Sequence, residues 1–281
     1  MIDQIRVYRS TSNYRVLEIL KDSLKGYKNS FYLAKQLAKR DINAQYRQSI
    51  LGIFWAIAPV LMSAAVWIFL NKTGTIKLSE TKIPYPLFVV IGSTLWTVFN
   101  DCLLMSINSV NANKGIITKI NFDKEALISL GAIKLVINLL IKLVLVIVLM
   151  LIYKVSLTVT FIYFIPLLIM SMLAFMSVGL LLTPIGILYT DIGRLITVAM
   201  QILMYLTPVV YNVPKEGLMK VIMDWNPLTY IVTNLRNTLT GFNIEHIPFM
   251  IGFAIVTLFI SMFSMVVYRI AIPIITERMS A

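Results

Sequence analysis

Two ionisable residues, Asp101 and Lys142, lie inside long apolar runs of this 281-residue chain and are the first candidates for chemistry. A charge at membrane depth is costly, so such residues pair with one another or face water. Asp101 lies about nine residues from the inner end of the second apolar run and Lys142 about eleven from the start of the third, so at ~1.5 Å per residue their depths nearly match. They are expected to pair or to share one hydrated pocket. The alternative is that Lys142 reaches out to the membrane surface, with Asp101 protonated or hydrogen-bonded to Asn100 or Asn108.

Other reactive groups are sparse and do not converge. Lys134 lies near a run, and Asp191, Asp224, Arg236, Glu245 and His246 fall in loops. No G-x-x-x-x-G-K-[ST] phosphate loop occurs, so this chain is not expected to hydrolyse nucleotide. There is no nucleophile elbow and no H-E-x-x-H. The lone Cys102 allows neither an intrachain disulfide nor a cysteine metal site. The lone His246 excludes a two-histidine metal site within one chain. No catalytic residue, metal or cofactor is expected here, and the chain is not read as an enzyme. Trp55 and Trp67 sit near opposite ends of the first apolar run. They can anchor it at the two membrane surfaces, or stack on sugar rings in a conduit, because an aromatic face contacts a ring without fixing one hydrogen-bond pattern.

The elements that must carry these residues are membrane helices. The chain is 58% hydrophobic and only 14% charged, with mean hydropathy +0.83. Soluble domains run at about 45–50% apolar and about 25% charged. A soluble fold has too little interior for so many apolar side chains. Six spans are expected, each near the ~20 residues a bilayer core needs: Ile50–Leu70 with Pro59, Leu87–Val110, Gly131–Tyr153, Phe161–Leu188, a short Leu195–Tyr211 with Pro208 near its end, and Ile247–Ile270. Uninterrupted runs without period-two alternation exclude a membrane β-barrel. The expected fold is therefore all-α and polytopic, with residues 1–48 a cytoplasmic N-terminal segment and 49–281 the six-helix transmembrane domain.

Much of the net charge of +12 precedes the first span, in Arg6, Arg9, Arg15, Lys21, Lys25, Lys28, Lys35, Lys39, Arg40 and Arg47. That excess places the N-terminus in the cytoplasm beside anionic lipid, and six spans return the C-terminus there. With no soluble domain to hold a nucleic-acid site, nucleic acid is not an expected partner. The start lacks the early apolar core of a signal peptide. Phe31–Arg40 is amphipathic: Phe31, Leu33, Ala34, Leu37 and Ala38 share one arc, opposite Tyr32, Lys35, Gln36, Lys39 and Arg40. That pattern is expected of a helix lying in the membrane interface, because a span follows within about ten residues; the alternative is an ordinary solvent-exposed helix packed on a core. The loop with Lys72, Lys77 and Lys82 would be external. Residues 111–130 and the turn Tyr189–Arg194 would be internal. Within the external loop 212–246, Pro227–Phe242 is too short and polar to span and is expected as a half-inserted or surface helix.

Several segments together resemble one family. Arg40-Asp41-Ile42, Tyr46-Arg47-Gln48-Ser49-Ile50-Leu51-Gly52-Ile53-Phe54-Trp55 and Pro59 resemble the start of the first span in bacterial polysaccharide ABC exporters. Ile120-Asn121-Phe122-Asp123-Lys124-Glu125 resembles their cytoplasmic coupling helix, and Tyr189-Thr190-Asp191-Ile192 the turn before their fifth span. Thr207-Pro208-Val209-Val210-Tyr211, Asn226-Pro227-Leu228-Thr229 and Arg236 resemble their external loop. The family often has proline at the position of Asp123 and arginine at that of Thr190. The resemblance implies a homodimer with two separate ABC subunits that hold ATP and Mg. It implies coupling to those subunits through Ile120, Phe122, Asp123 and Glu125 and the N-terminal amphipathic helix. It implies a conduit lined by the first and fifth spans, with Trp55, Trp67, Tyr205 and Tyr211 as candidate glycan contacts. The implied cargo is an undecaprenyl-linked glycan, O-antigen first, with teichoic acid and capsule as neighbours, moved across the bacterial plasma (inner) membrane. A drug or small-lipid exporter of the same fold, a membrane enzyme acting on lipid-linked sugar, and an uncoupled scaffold or channel subunit are the competing readings.

Overall fold

The computed structural model describes residues 16–47, 49–74, 81–117, 119–120, 122–156 and 158–280. Arg6, Arg9, Arg15, Gln48, Lys77 and Asn121, singled out above, lie outside the described residues, as does the side chain of Tyr46. The helices are α1 (Val16–Arg47), α2 (Phe54–Lys72), α3 (Tyr85–Ala112), α4 (Lys114–Ile117), α5 (Glu125–Ile152), α6 (Phe161–Leu188), α7 (Asp191–Tyr205), α8 (Leu218–Trp225), α9 (Pro227–Leu239) and α10 (Ile247–Ser280). Among the described residues there is no strand.

Five helices, α2, α3, α5, α6 and α10, are long and apolar enough to cross a membrane. They are not equivalent. Within the spanning window, 78% of α3 is buried, against 17% of α2 and of α10. The central place of α3 follows from small residues on its neighbours. In lipid, apolar helices gain little by touching, so close backbone approach decides which pairs form. A Cβ at Gly179 of α6 would lie 2.3 Å from the Leu103 carbonyl oxygen of α3, and one at Gly131 of α5 would lie 2.5 Å from Met105. Phe99 of α3 then stacks on Phe175 of α6 at 4.4 Å between centroids. The outer faces stay apolar: Val136, Leu140, Val144, Ile147 and Leu151 form an exposed stripe along α5.

The first helix is longer than its amphipathic stretch, with 32 residues. Its apolar arc rests on protein. Ala34, Leu37 and Ala38 are buried against Ala126 and Leu130 at the start of α5, while Phe31 is exposed. Two polar contacts continue the seam. Lys134 Nζ lies 3.5 Å from Asp41, and Arg40 donates to the Asn113 side chain at the end of α3, 2.8 Å away.

The expected span Leu195–Tyr211 takes a different form. Its helix, α7, has 15 residues and ends at Tyr205. At ~1.5 Å per residue that is shorter than the ~30 Å hydrocarbon core. Pro208 explains the stop, since the residue before a proline is driven out of the helical region. The next residues are non-helical yet buried, Thr207, Val209 and Val210 among them. Pro59, Pro166, Pro184 and Pro273, by contrast, lie inside helices.

Candidate functional site

The segment between α3 and α5 ends on Glu125, which is 3% exposed. Its carboxylate accepts from Ser23 Oγ of α1 at 3.1 Å and forms an ion pair with Arg269 of α10. Removing a buried carboxylate from water is costly, and paired hydrogen bonds offset that cost. The approach is tight enough to require glycine: a Cβ at Gly26 would lie 2.9 Å from the Glu125 carboxyl carbon. Tyr268 donates to the Lys124 carbonyl at 3.2 Å. Burial, with the charge of Glu125, pushes the Tyr27 hydroxyl well above its usual pKa, so it stays neutral. One residue thus joins α1, α5 and α10.

The four coupling candidates divide around this joint. Ile120 is 58% exposed. Phe122 is partly buried, packed against both the main core and the α1–α5 cluster, with the Lys124 ammonium 4.5 Å from its ring centre. Asp123 is half-buried, and its carbonyl accepts from Ala126 N at 3.0 Å. Burial lowers the Lys124 pKa and Asp123 partly offsets this. Glu125 faces inward, and its bonds are to α1 and α10. The pairing signal was invisible in sequence because Ser23 and Arg269 are remote from it.

Asp101 and Lys142 meet across α3 and α5, with Nζ 2.7 Å from Oδ2. The lysine side chain is 6% exposed and the aspartate side chain 38%. Lys142 therefore does not reach out to the membrane surface. Cys102, next in sequence, is fully buried.

Three of the four aromatic candidates gather at one place. Trp67 lies 6.4 Å from Tyr205 and 6.4 Å from Tyr211, centre to centre, and Tyr211 donates its hydroxyl to the Tyr205 carbonyl. Trp55 is not part of this group. It lies at the opposite end of α2, 60% exposed, with Phe54 at 6.5 Å.

Beside the aromatic group, the non-helical run after α7 is held from two sides. Arg236 of α9 is buried and donates to the carbonyls of Pro208 at 3.0 Å and Val209 at 2.6 Å. Asn226 donates to Leu206 O and Thr207 Oγ1, each at 2.9 Å. Irregular backbone at membrane depth is tolerated only where protein takes up its polar groups. Gly92 of α3 makes room, since a Cβ there would lie 1.9 Å from the Val209 carbonyl oxygen. Phe88, which carries the Arg236 guanidinium, is a site residue that periodicity could not find.

The family described as "ABC-2 type transporter" matches residues 32–240, from within α1 to the end of α9. The O-antigen export system permease protein RfbA of Klebsiella pneumoniae is 23% identical over 250 residues, 86% of this chain and 94% of the relative. A protein of the same description from Myxococcus xanthus is 21% identical over 204 residues, 71% of this chain and 77% of the relative.

Proposed function

The chain belongs to the ABC-2 type transporter family and is a membrane permease subunit; from that premise we propose that it exports an undecaprenyl-linked polysaccharide, O-antigen first, across the bacterial inner membrane as a homodimer driven by two ATP-binding subunits. The cargo assignment is supported by the relatives described as O-antigen export permeases, which align over nearly their whole length.

The observation that carries the energy-coupling part is the Glu125 joint. The exposed Ile120 and the adjoining Phe122 and Asp123 meet the ATP-binding subunit, and Glu125 passes its displacement to α1 and α10 together. ATP and Mg belong to that partner. Six crossings fit the connections. The end of α10 reaches Glu125 at the start of α5, and the start of α6 meets α9 through Thr160 and the Thr238 carbonyl at 3.2 Å. These contacts support a further crossing between α6 and α10, made by α7 with the buried run after it. The N-terminal basic segment and the C-terminus then lie in the cytoplasm. Trp67, Tyr205 and Tyr211 contact glycan near the outer end, and Trp55 does so at the inner end.

Deletion of the gene tests this reading. Lipid-linked glycan is expected to accumulate on the inner face and to vanish from the cell surface. Unchanged surface glycan would refute it.

A further inference from the structure

From Leu87 to Val110 every residue of α3 is buried except Thr97, Asn100, Asp101, Leu104 and Asn108. These fall at helical spacing on one face, over ~16 Å of helix at ~1.5 Å per residue. Four of the five are polar. The contrast with α5 is direct, because its exposed stripe is Val136, Leu140, Val144, Ile147 and Leu151. A lipid-facing stripe has the composition of the second and not of the first.

A further observation points the same way: the ion pair is asymmetric. Lys142 is sealed at 6% exposure while Asp101 presents 38% of its side chain along the stripe. The face ends at Thr97, above which α3 is buried all round from Leu87 to Trp96. At its other end it continues to the half-buried Asn111 and the exposed Ala112 at the end of α3.

We infer that this face of α3 is a hydrated inlet, open at the Ala112 end and closed near Thr97. Its floor is the Asp101–Lys142 pair, and it receives the hydroxyl-rich part of the cargo. Amide and carboxylate groups in a row supply acceptors and donors that hydroxyls match in many registers. The inference rests on the transport reading only for what enters.

Thiol accessibility tests it in intact permease within membranes. The single cysteine, Cys102, is fully buried and serves as the unreactive parent. On a Cys102→Ala background, Thr97→Cys, Leu104→Cys and Asn108→Cys are each treated with a charged, membrane-impermeant thiol reagent. Val98→Cys, inside the protein, and Val144→Cys, on the lipid face, are the controls. The stripe positions are expected to react at least about tenfold faster than Val144→Cys, because the reactive thiolate forms in contact with water. Asn108→Cys should be fastest and Thr97→Cys slowest. Three positions guard against one variant folding badly. Rates equal to Val144→Cys at all three would overturn the inlet. So would spontaneous dimer disulfides at Asn108→Cys with no reagent uptake, which would make the face a sealed subunit contact. Either result leaves the surface-glycan test standing. Reactive stripe positions with unchanged surface glycan in the deletion strain would keep the inlet and remove the cargo assignment.

Discussion

The Arg236 guanidinium lies 3.6 Å from the centre of the Phe88 ring and, from that position, donates to the carbonyls of Pro208 and Val209. The cation thus joins α9, α3 and the non-helical run that continues α7. Arginine suits this place because its planar fork stacks flat on the ring and donates sideways at once, whereas a lysine ammonium has no plane to stack. Arg236→Lys is expected to destabilise by about 2 kcal/mol, the scale of lost hydrogen bonds to a charged group. Thermal unfolding in detergent should fall by roughly 4–8 °C for a chain of this size. A melting point unchanged by this substitution would show that the run does not depend on Arg236.

The Asp101–Lys142 pair should respond unequally to its two halves. Asp101→Asn leaves a lysine at 6% exposure without its counter-charge, which costs on the order of 3 kcal/mol. Lys142→Met leaves an aspartate that still reaches the polar face, so its loss should be smaller. The double variant should recover most of the Asp101→Asn deficit. Unfolding midpoints of the four proteins give the cycle, and additive losses would mean that the two charges do not depend on each other.

At the coupling segment, contact and transmission can be separated. Ile120→Asp places a charge on the exposed residue and should release the ATP-binding subunit on co-purification, with little change in permease abundance. Glu125→Gln keeps the outer surface but removes the charge that Arg269 pairs with. It should retain the ATP-binding subunit while export per ATP hydrolysed falls several-fold. If Glu125→Gln instead loses the partner, the joint is part of the docking surface.

For the aromatic group, the ring rather than the hydroxyl should matter. Tyr205 is 55% exposed and Trp67 lies against it. Tyr205→Ala is expected to lower surface glycan several-fold at unchanged abundance, and Tyr205→Phe to leave it near normal, since stacking uses the ring face. Equal loss in both variants would assign the hydroxyl, or the fold, as the cause.

Composition and run length alone determined that the chain is helical and membrane-embedded, because apolar side chains at this density have no other solvent. They also placed α2, α3 and α6 within a few residues, since span length is set by bilayer thickness, whereas α5 starts six residues before its expected span and α10 runs ten beyond. The matched depths of Asp101 and Lys142 were legible for the same reason: rise per residue is fixed, so counting residues measures depth. The partners of Glu125 were not legible. Ser23, Gly26 and Arg269 come from opposite ends of the chain, and hydropathy carries no information on which helices touch. The amphipathic arc of α1 was expected against the membrane interface, and it lies instead on the start of α5, where Ala34 and Ala38 let the helices approach. The early end of α7 was decided by Pro208 together with Arg236 and Asn226, whose side chains supply the donors that a broken helix in a membrane must find. Which single face of α3 stays open, and that it is polar, depends on Gly131 and Gly179 drawing neighbours onto its other sides, a consequence of packing in three dimensions.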